Sequence, residues 1–333
     1  MESKTYEKEL LKVEEMNISF KNDEGGLLSA VRDLNFHIHE GETVGLVGES
    51  GCGKSVTALS LMKLIPENSS IIDGQILLEG EDVNSYSEKK MRSIRGNAMS
   101  MIFQEPMTSL NPVHRIGKQI GEVLLLHSLA NKSNIKSKVI EILKKVGIPR
   151  PEAIIEEFPH QLSGGMRQRV MIAMAMACNP RLLIADEPTT ALDVTIQAQI
   201  LDLMNTLQEE YKTAILLITH DLGVVAEMAD RVMVMYYGQI VEEADVRTLF
   251  KQPKHPYTVG LLNSIPNIDE DDEVRLKPIE GNVPNLGVIT SGCPFRSRCE
   301  HAHEKCYQEN PPLFKLESQT VRCWLYEKEE VFA

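Results

Sequence analysis

The sequence predicts an α/β fold built on a largely parallel sheet. Apolar runs rich in β-branched residues alternate with helical patterns, as expected where crossover helices join parallel strands. The clearest runs are ETVGLVG (42–48), RLLIADE (181–187) and TAILLITHD (213–221), each apolar enough for a strand buried on both faces. Between the last two, apolar residues recur at helical spacing and predict a crossover helix: Ile196, Ile200, Leu203, Met204 and Leu207.

Length and composition narrow the class of protein. A chain of 333 residues with 42% hydrophobic content can form one large or two modest domains with proper cores. The net charge of −13 argues against binding to nucleic acid or to an anionic membrane surface, since both need a basic surface. The longest apolar stretch, Val170 to Cys178, is far short of the roughly 18 residues of a spanning helix.

The charged N-terminal segment MESKTYEKELLKVEE lacks the apolar core of a secretory signal. We therefore expect the chain to stay in the cytoplasm, where disulfides are disfavoured.

Two changes along the chain predict its domain organisation. The stretch 91–165 has a mostly helical pattern between the first and later core strands, which indicates an inserted helical subdomain. After Phe250, prolines and acidic residues replace the alternating pattern. The expected organisation is a large α/β domain over 8–250 and a C-terminal extension over 251–333.

The segment GESGCGKS (48–55) fits the phosphate-loop pattern G-x-x-x-x-G-K-[ST], and it stands between a predicted strand and a predicted helix. Its glycines allow close wrapping, so that backbone N–H groups and the helix N-terminus face a phosphate. Lys54 is expected to contact the β and γ phosphates, and Ser55 to ligate Mg²⁺. The weaker alternative interpretation of this segment is a glycine-rich turn that enters a helix and binds no phosphate. The predicted nucleotide-binding residues of this segment are Gly48, Ser50, Gly51, Cys52, Gly53, Lys54, Ser55 and Val56.

Two acids follow the apolar strand LLIA. Asp186 is placed to hold the metal through water, and Glu187 to polarise an attacking water as general base. Strand-end carboxylates also serve as helix caps or surface charges, but the phosphate loop favours the catalytic interpretation.

The segment LSGGMRQRV (162–170), upstream of DEPTTALD, resembles the signature motif of ATP-binding cassette (ABC) proteins. Gln104 in MIFQEP, Asp193 in ALD and His220 in ITHD complete the family's set of motifs in its order. The resemblance covers about residues 10–250. It implies a P-loop NTPase fold of the ABC type, with ATP and Mg²⁺ as ligands and ATP hydrolysis as the reaction.

The resemblance also implies roles for single residues. Gln104 would contact Mg²⁺, sense the γ-phosphate and touch a membrane partner. His220 would bind the γ-phosphate as the switch histidine, and Asp193 would belong to the D-loop. Phe20, in NISF, is similar in position to the aromatic residue that stacks on adenine, although a core residue at a strand end is nearly as good an interpretation.

The signature segment predicts a second anion site, because Ser163, Gly164 and Gly165 open a helix. In ABC proteins this site faces the nucleotide of another subunit, so that two cassettes clamp two ATP molecules. The residues implied are Leu162, Ser163, Gly164, Gly165 and Met166.

Two further segments, QEPMTSLNP (104–112) and HPYTVGLLNSIP (255–266), resemble the oligopeptide/dipeptide permease ATPases, a group that includes nickel permease subunits. The resemblance implies two membrane permease subunits, an extracellular binding protein, a second ATPase subunit that is commonly a related chain, and a peripheral position on the cytoplasmic membrane face. Oligopeptides or dipeptides are the favoured cargo, with nickel or another small solute as the alternative. The rival classes are a soluble ABC protein acting on DNA or ribosomes and a metal-controlled sensor.

Four cysteines lie close together near the C-terminus, and thiolates so spaced in a cytosolic chain favour a metal site. The spacing does not fit the usual zinc hairpin and favours a bulkier iron–sulfur centre. Peptide permease ATPases often end in a region of this kind, which implies a [4Fe-4S] cluster, with zinc as the alternative and His301 and His303 as alternative zinc ligands. Few apolar runs occur in this extension, so a metal is expected to contribute folding energy. The predicted ligands are Cys293, Cys299, Cys306 and Cys323.

Overall fold

The structure is a computed structural model that describes residue 6 and residues 8–22, 25–104, 109–190, 192–264 and 279–328. Parts of the two permease-like segments, 105–108 and 265–266, lie outside the described residues. The strands are β1 (Glu9–Lys21), β2 (Leu27–His39), β3 (Thr43–Val47), β4 (Ser70–Leu78), β5 (Glu81–Asp82), β6 (Met99–Ile102), β7 (Leu182–Asp186), β8 (Ala214–Thr219), β9 (Arg231–Tyr236), β10 (Gln239–Asp245), β11 (Phe314–Lys315) and β12 (Gln319–Val321).

The helices are α1 (Lys54–Leu61), α2 (Glu88–Ile94), α3 (Ile116–Leu126), α4 (Ile135–Lys145), α5 (Pro151–Ile154), α6 (Gly164–Met176), α7 (Val194–Tyr211), α8 (Leu222–Met228), α9 (Val246–Lys251), α10 (Pro256–Asn263) and α11 (Glu304–Gln308). Within the described ranges, none of them has the length and apolar character needed to cross a membrane.

The chain divides into two compact units. The first comprises the described residues of 1–11, 38–43 and 78–217, and the second those of 12–37, 44–77 and 218–333. The three strands predicted from the apolar runs are present as β3, β7 and β8, and the predicted crossover helix is α7. The α/β class is therefore confirmed.

In the first unit, β6, β7 and β8 are neighbours in the order β8-β7-β6. Strands β6 and β7 pair in parallel, with Met99 opposite Leu182 and Ile102 opposite Ala185. Every residue of β7 is buried, which explains its unbroken apolar sequence. Strand β6 lies inside the stretch expected to be mostly helical, because a four-residue apolar run such as MSMI has too little length to show a strand period.

In the second unit, one sheet has the order β11-β12-β10-β9-β3, and another contains β2-β1-β4. Strands β3 and β9 are parallel, whereas β9 with β10, β10 with β12 and β12 with β11 are antiparallel. The sheet is thus mixed, and its antiparallel edge comes from the C-terminal extension: Val321 of β12 stands opposite Glu242 of β10.

The C-terminal extension shares its core with the strands before it. Ile289 and Phe295 pack in one hydrophobic cluster with Tyr236 of β9 and Tyr257 of α10. A smaller cluster contains Phe314, Val321 and Cys323. Packing of the later part of the extension on β9, β10 and the extension's own helix α10 therefore supplies burial for a segment with few apolar runs. The domain boundary near residue 250 stays a prediction.

Candidate active site

The phosphate loop follows β3 directly and leads into α1. Gly48 has φ +155°, and a Cβ there would lie 2.3 Å from the Met235 carbonyl oxygen. Gly53, the residue before α1, has φ +112° and would place a Cβ 3.1 Å from the Ala30 carbonyl oxygen. Both positions combine a left-handed backbone with close backbone neighbours, so only glycine fits them.

Lys54 points into the loop and is only 6% exposed. Its Nζ donates to the carbonyl oxygens of Gly48 at 2.7 Å and Glu49 at 3.1 Å. Cys52 is also buried, and burial raises the pKa of its thiol, so it is a packing residue and not a reactive thiolate. The exposed residues of the loop are Ser50 and Gly51, while Ser55 and Val56 are half-buried.

Glu49 carries contacts that the sequence motif did not indicate. Its carboxylate accepts both terminal nitrogens of Arg298, and its backbone N–H donates to the Tyr257 hydroxyl. Both partners follow residue 250, so no local pattern near the loop could have revealed them.

In the first unit, β7 ends at Asp186, which is 4% exposed, and Glu187 follows with φ +49°. A left-handed conformation at a residue other than glycine is strained, and such strain is common at functional sites. Glu187 Oε2 accepts from Gln104 Nε2 at 3.0 Å and from Thr190 Oγ1 at 2.8 Å. The structure therefore brings together the predicted base and the predicted Q-loop glutamine, 83 residues apart.

His220 directly follows β8 and is exposed. The next residue, Asp221, caps α8 by accepting the backbone N–H groups of Gly223 and Val224. Asp193 caps α7 in the same way, through the N–H of Ile196 at 3.0 Å. The end of β8 and the capped start of α8 therefore hold the backbone on both sides of His220.

The signature segment opens α6. The helix begins at Gly164, as the sequence predicts, and the Ser163 hydroxyl caps it by accepting the N–H of Met166 at 3.3 Å. Ser163 and Gly164 are exposed at this helix N-terminus, whereas Leu162 is buried. A Cβ on Gly165 would lie 2.8 Å from the Ile196 side chain, so glycine there permits close packing of α6 against α7.

Phe20 lies next to the last residue of β1 and is half-buried, following the buried Met16 and Ile18. This position fits a core residue at a strand end as well as an adenine platform. Its role in stacking stays a prediction.

The four cysteines of the extension are free thiols. The described residues contain no group of three or more His, Cys, Asp or Glu side chains that could hold a metal ion. The physical reason is packing: Cys293 and Cys299 pack against the cluster that contains Phe295, and Cys323 belongs to the cluster of Phe314. The Cys306 Sγ instead lies 3.3 Å from His303 Nδ1.

Burial raises the pKa of the Cys293 thiol to about 11 and that of Cys323 to about 12. Neighbouring cysteines raise both pKa values further. The prediction of a metal site in this region lacks structural support.

Comparison with known proteins identifies the family. The family model for ABC transporters matches residues 31–190, and the model "Oligopeptide/dipeptide transporter, C-terminal region" matches residues 241–306. The oligopeptide transport ATP-binding protein AppD of Bacillus subtilis is 57% identical over 91% of this chain and 92% of its own length. The chain belongs to the ABC transporter family.

Two further relatives support the assignment. The dipeptide transport ATP-binding protein DppD of Bacillus subtilis is 49% identical over 96% of this chain and 95% of its own. A solved ATP-binding cassette, dimeric and bound to ADP and Pi, aligns with a TM-score of 0.63 and 26% identity over 72% of this chain and 99% of its own. The chain thus has the P-loop NTPase fold of an ABC cassette, and it is an ATP hydrolase of that type.

Proposed function

We propose that this chain binds and hydrolyses ATP to energise the import of oligopeptides or dipeptides through separate membrane subunits. One observation carries the proposal. The chain joins a phosphate-loop cassette to a C-terminal region of the oligopeptide/dipeptide transporter type, and it does so over more than nine-tenths of the length of two peptide transport ATP-binding proteins.

At the phosphate loop, Lys54 would contact the β and γ phosphates of ATP and Ser55 would ligate Mg²⁺. Asp186 would hold the metal through water and Gln104 would be a further magnesium contact, and the metal would neutralise charge on the phosphates. Glu187 accepts a proton from the attacking water, whose oxygen bonds to the γ-phosphorus as the bond to the β–γ bridging oxygen breaks. His220 stabilises the charge on the γ-phosphate.

Hydrolysis requires two cassettes. The exposed N-terminus of α6, with Ser163 and Gly164, offers N–H groups to the nucleotide of a second ATPase subunit. Asp193 and the neighbouring Val194, which is 83% exposed, lie at the start of α7 and are available for the same interface. We propose that the second subunit is a related chain, and size-exclusion chromatography of the co-expressed pair tests this. A homodimer formed with ATP by this chain alone would contradict it.

The permease subunits need an apolar surface to contact, and the first unit has one. An open cleft of about 660 Å³ lies between α3, α4 and α5, with Leu125, Leu126, Ile135 and Ile155 among its lining residues. Leu126 is 73% exposed and the adjacent Leu125 45%. Isolated exposed apolar residues are normal, but grouped ones mark interaction sites. We propose that the cytoplasmic part of a permease subunit covers this cleft, which places the chain on the cytoplasmic membrane face.

Reconstituted transport tests the function. The purified chain, its partner ATPase and the permease subunits are placed in liposomes, and ATP hydrolysis is measured with the binding protein loaded with peptide or with Ni²⁺. We expect stimulation by peptide alone. Stimulation by Ni²⁺ alone would support the nickel alternative instead. Leu126→Glu should abolish the stimulation but keep ATP binding, whereas Leu27→Glu, at an exposed residue of β2, should keep both the stimulation and ATP binding.

For the four cysteines we propose a [4Fe-4S] cluster, with zinc as the alternative. The backbone N–H of Cys293 donates to the carbonyl oxygen of Cys306 at 2.8 Å, and this contact between two of the four cysteines supports the proposal. Metal analysis and visible absorbance of anaerobically purified protein test it directly. A colourless protein without iron rules out the cluster, and stoichiometric zinc would favour the alternative.

A further inference from the structure

Two residues of the C-terminal extension hydrogen-bond to Glu49 of the phosphate loop. Arg298 donates from Nη1 to Glu49 Oε2 at 2.6 Å and from Nη2 to Oε1 at 2.9 Å, which is a bidentate pair. The Tyr257 hydroxyl accepts the Glu49 backbone N–H at 2.8 Å. We call these three residues the Glu49 clamp. None of the proposed steps of ATP hydrolysis uses Arg298 or Tyr257.

Arg298 is held firmly on its own side of the clamp. Its side chain is 4% exposed, against 30% for that of Glu49. Its Nε donates to the carbonyl oxygen of Glu280, and Nη2 also lies within hydrogen-bond distance of the carbonyl oxygens of Ile279 and Gly281. A guanidinium this deeply buried is stable only when it is paired, so the contact with Glu49 differs from a fluctuating surface ion pair.

Tyr257 is equally fixed. It is fully buried, with its ring 4.7 Å from that of Tyr236 and 5.4 Å from that of Phe295. Its backbone N–H donates to Nδ1 of His255, the residue that caps α10. A packed ring on a capped helix places the hydroxyl with little freedom.

The clamp acts on the residue that holds the catalytic lysine. The Glu49 carbonyl accepts Lys54 Nζ at 3.1 Å, beside the Gly48 carbonyl at 2.7 Å. Glu49 is therefore held from outside by Tyr257 and Arg298, while its carbonyl fixes the Lys54 ammonium inside the loop. Shifts of about 1 Å in such groups are enough to weaken binding and catalysis.

We propose that Tyr257 and Arg298 are positioning residues for ATP: by holding Glu49, they keep the phosphate loop and Lys54 in the conformation that binds the nucleotide. The C-terminal extension is then part of the nucleotide site and not only an appendage to it. The proposal depends on ATP binding at this loop, and it is independent of the transported solute.

Equilibrium binding of a fluorescent ATP analogue with Mg²⁺ to the full chain tests the clamp. Arg298→Met and Tyr257→Phe should each raise the Kd by about tenfold, the loss expected for one buried charge-assisted or backbone hydrogen-bond site. The Kd of Arg298→Lys should lie between those of the wild type and Arg298→Met, because lysine keeps the charge but lacks the planar guanidinium that forms two parallel hydrogen bonds. The double variant Glu49→Gln, Arg298→Met should have a Kd no higher than that of the single variant that binds less tightly, since both changes remove the same contact.

Two matched controls separate positioning from general docking of the extension. Arg296→Met removes an arginine of the same turn that donates to the Ser291 and Cys293 carbonyls. Tyr237→Phe removes a hydroxyl that donates to the Asn285 carbonyl and accepts the Ile289 N–H. Neither touches Glu49, so both should leave the Kd unchanged.

Affinities are compared at a temperature where the circular dichroism of each variant matches the wild type. Equal weakening in the controls and the clamp variants would overturn the proposal, as would an unchanged Kd in folded Arg298→Met and Tyr257→Phe. A wild-type chain that binds no ATP would instead refute the nucleotide site itself, and the clamp with it.

Discussion

Protonation of His255 should destabilise the fold in mild acid. His255 is fully buried, its Nδ1 accepts the Tyr257 N–H, and burial lowers its pKa from 6.5 to about 3. Below pH 6.5 the unfolded chain takes up a proton that the folded chain does not bind until about pH 3. The stability contributed by the neutral ring is therefore complete above pH 6.5 and is lost as the pH falls below it.

From about pH 7.5 to about pH 5, this single group should lower the free energy of unfolding by about 2 kcal/mol. The perturbation is His255→Asn, because asparagine keeps a side-chain acceptor at the helix cap but does not titrate. Urea unfolding of the wild type and His255→Asn at both pH values gives the change in the free energy of unfolding with pH for each protein. Any effect of the substitution that does not depend on pH cancels in this change.

We expect the loss of stability between the two pH values to be smaller by about 2 kcal/mol in His255→Asn than in the wild type. Glu242, which accepts the His255 N–H and whose pKa burial raises, is present in both proteins. His160→Asn, at an exposed histidine, should behave as the wild type. Equal pH dependence in the wild type and His255→Asn would refute the assignment of a buried neutral ring.

Three further predictions concern the ATPase. Glu187→Gln should reduce turnover at least about 100-fold, with the partner subunit present, and trap a nucleotide-bound closed dimer on size-exclusion chromatography; unchanged turnover would exclude it as the base. Gly48→Ala should weaken ATP binding more than about tenfold in equilibrium titration, because its Cβ would lie 2.3 Å from the Met235 carbonyl oxygen, whereas Gly80→Ala, with φ +82° and open space, should not. Ser163→Ala should cost about 1 kcal/mol in urea unfolding by loss of the α6 cap, and Ser163→Asn should restore most of it; equal losses would contradict capping.

Much of the cassette could be predicted because its signals are local. Strands β3, β7 and β8 are continuous apolar runs, and the phosphate loop is a pattern of adjacent residues that requires glycine at Gly48 and Gly53 for reasons of backbone geometry alone. Strand β6 could not be predicted, since it pairs with β7 from a distant part of the chain and is too short to show a period.

In the extension, the pattern along the chain determines less of the structure. Its four cysteines suggested a metal centre, and three of them pack in or against hydrophobic clusters, Cys293 and Cys299 at one and Cys323 at another. A spacing along the chain limits which residues can meet, but packing against β9, β10 and α10 determines which of them do.

The amino-acid sequence alone identifies the chain as an ATPase, because its motifs and their order are encoded in short segments. The chemistry of phosphate binding in these segments depends on local backbone and charge. Only the tertiary structure shows that the loop is held by Tyr257 and Arg298, because those contacts join residues 208 and 249 positions apart from Glu49. Long-range contacts of this kind leave no periodicity or motif near either partner. They arise when buried charge and a packed aromatic ring meet in the folded chain.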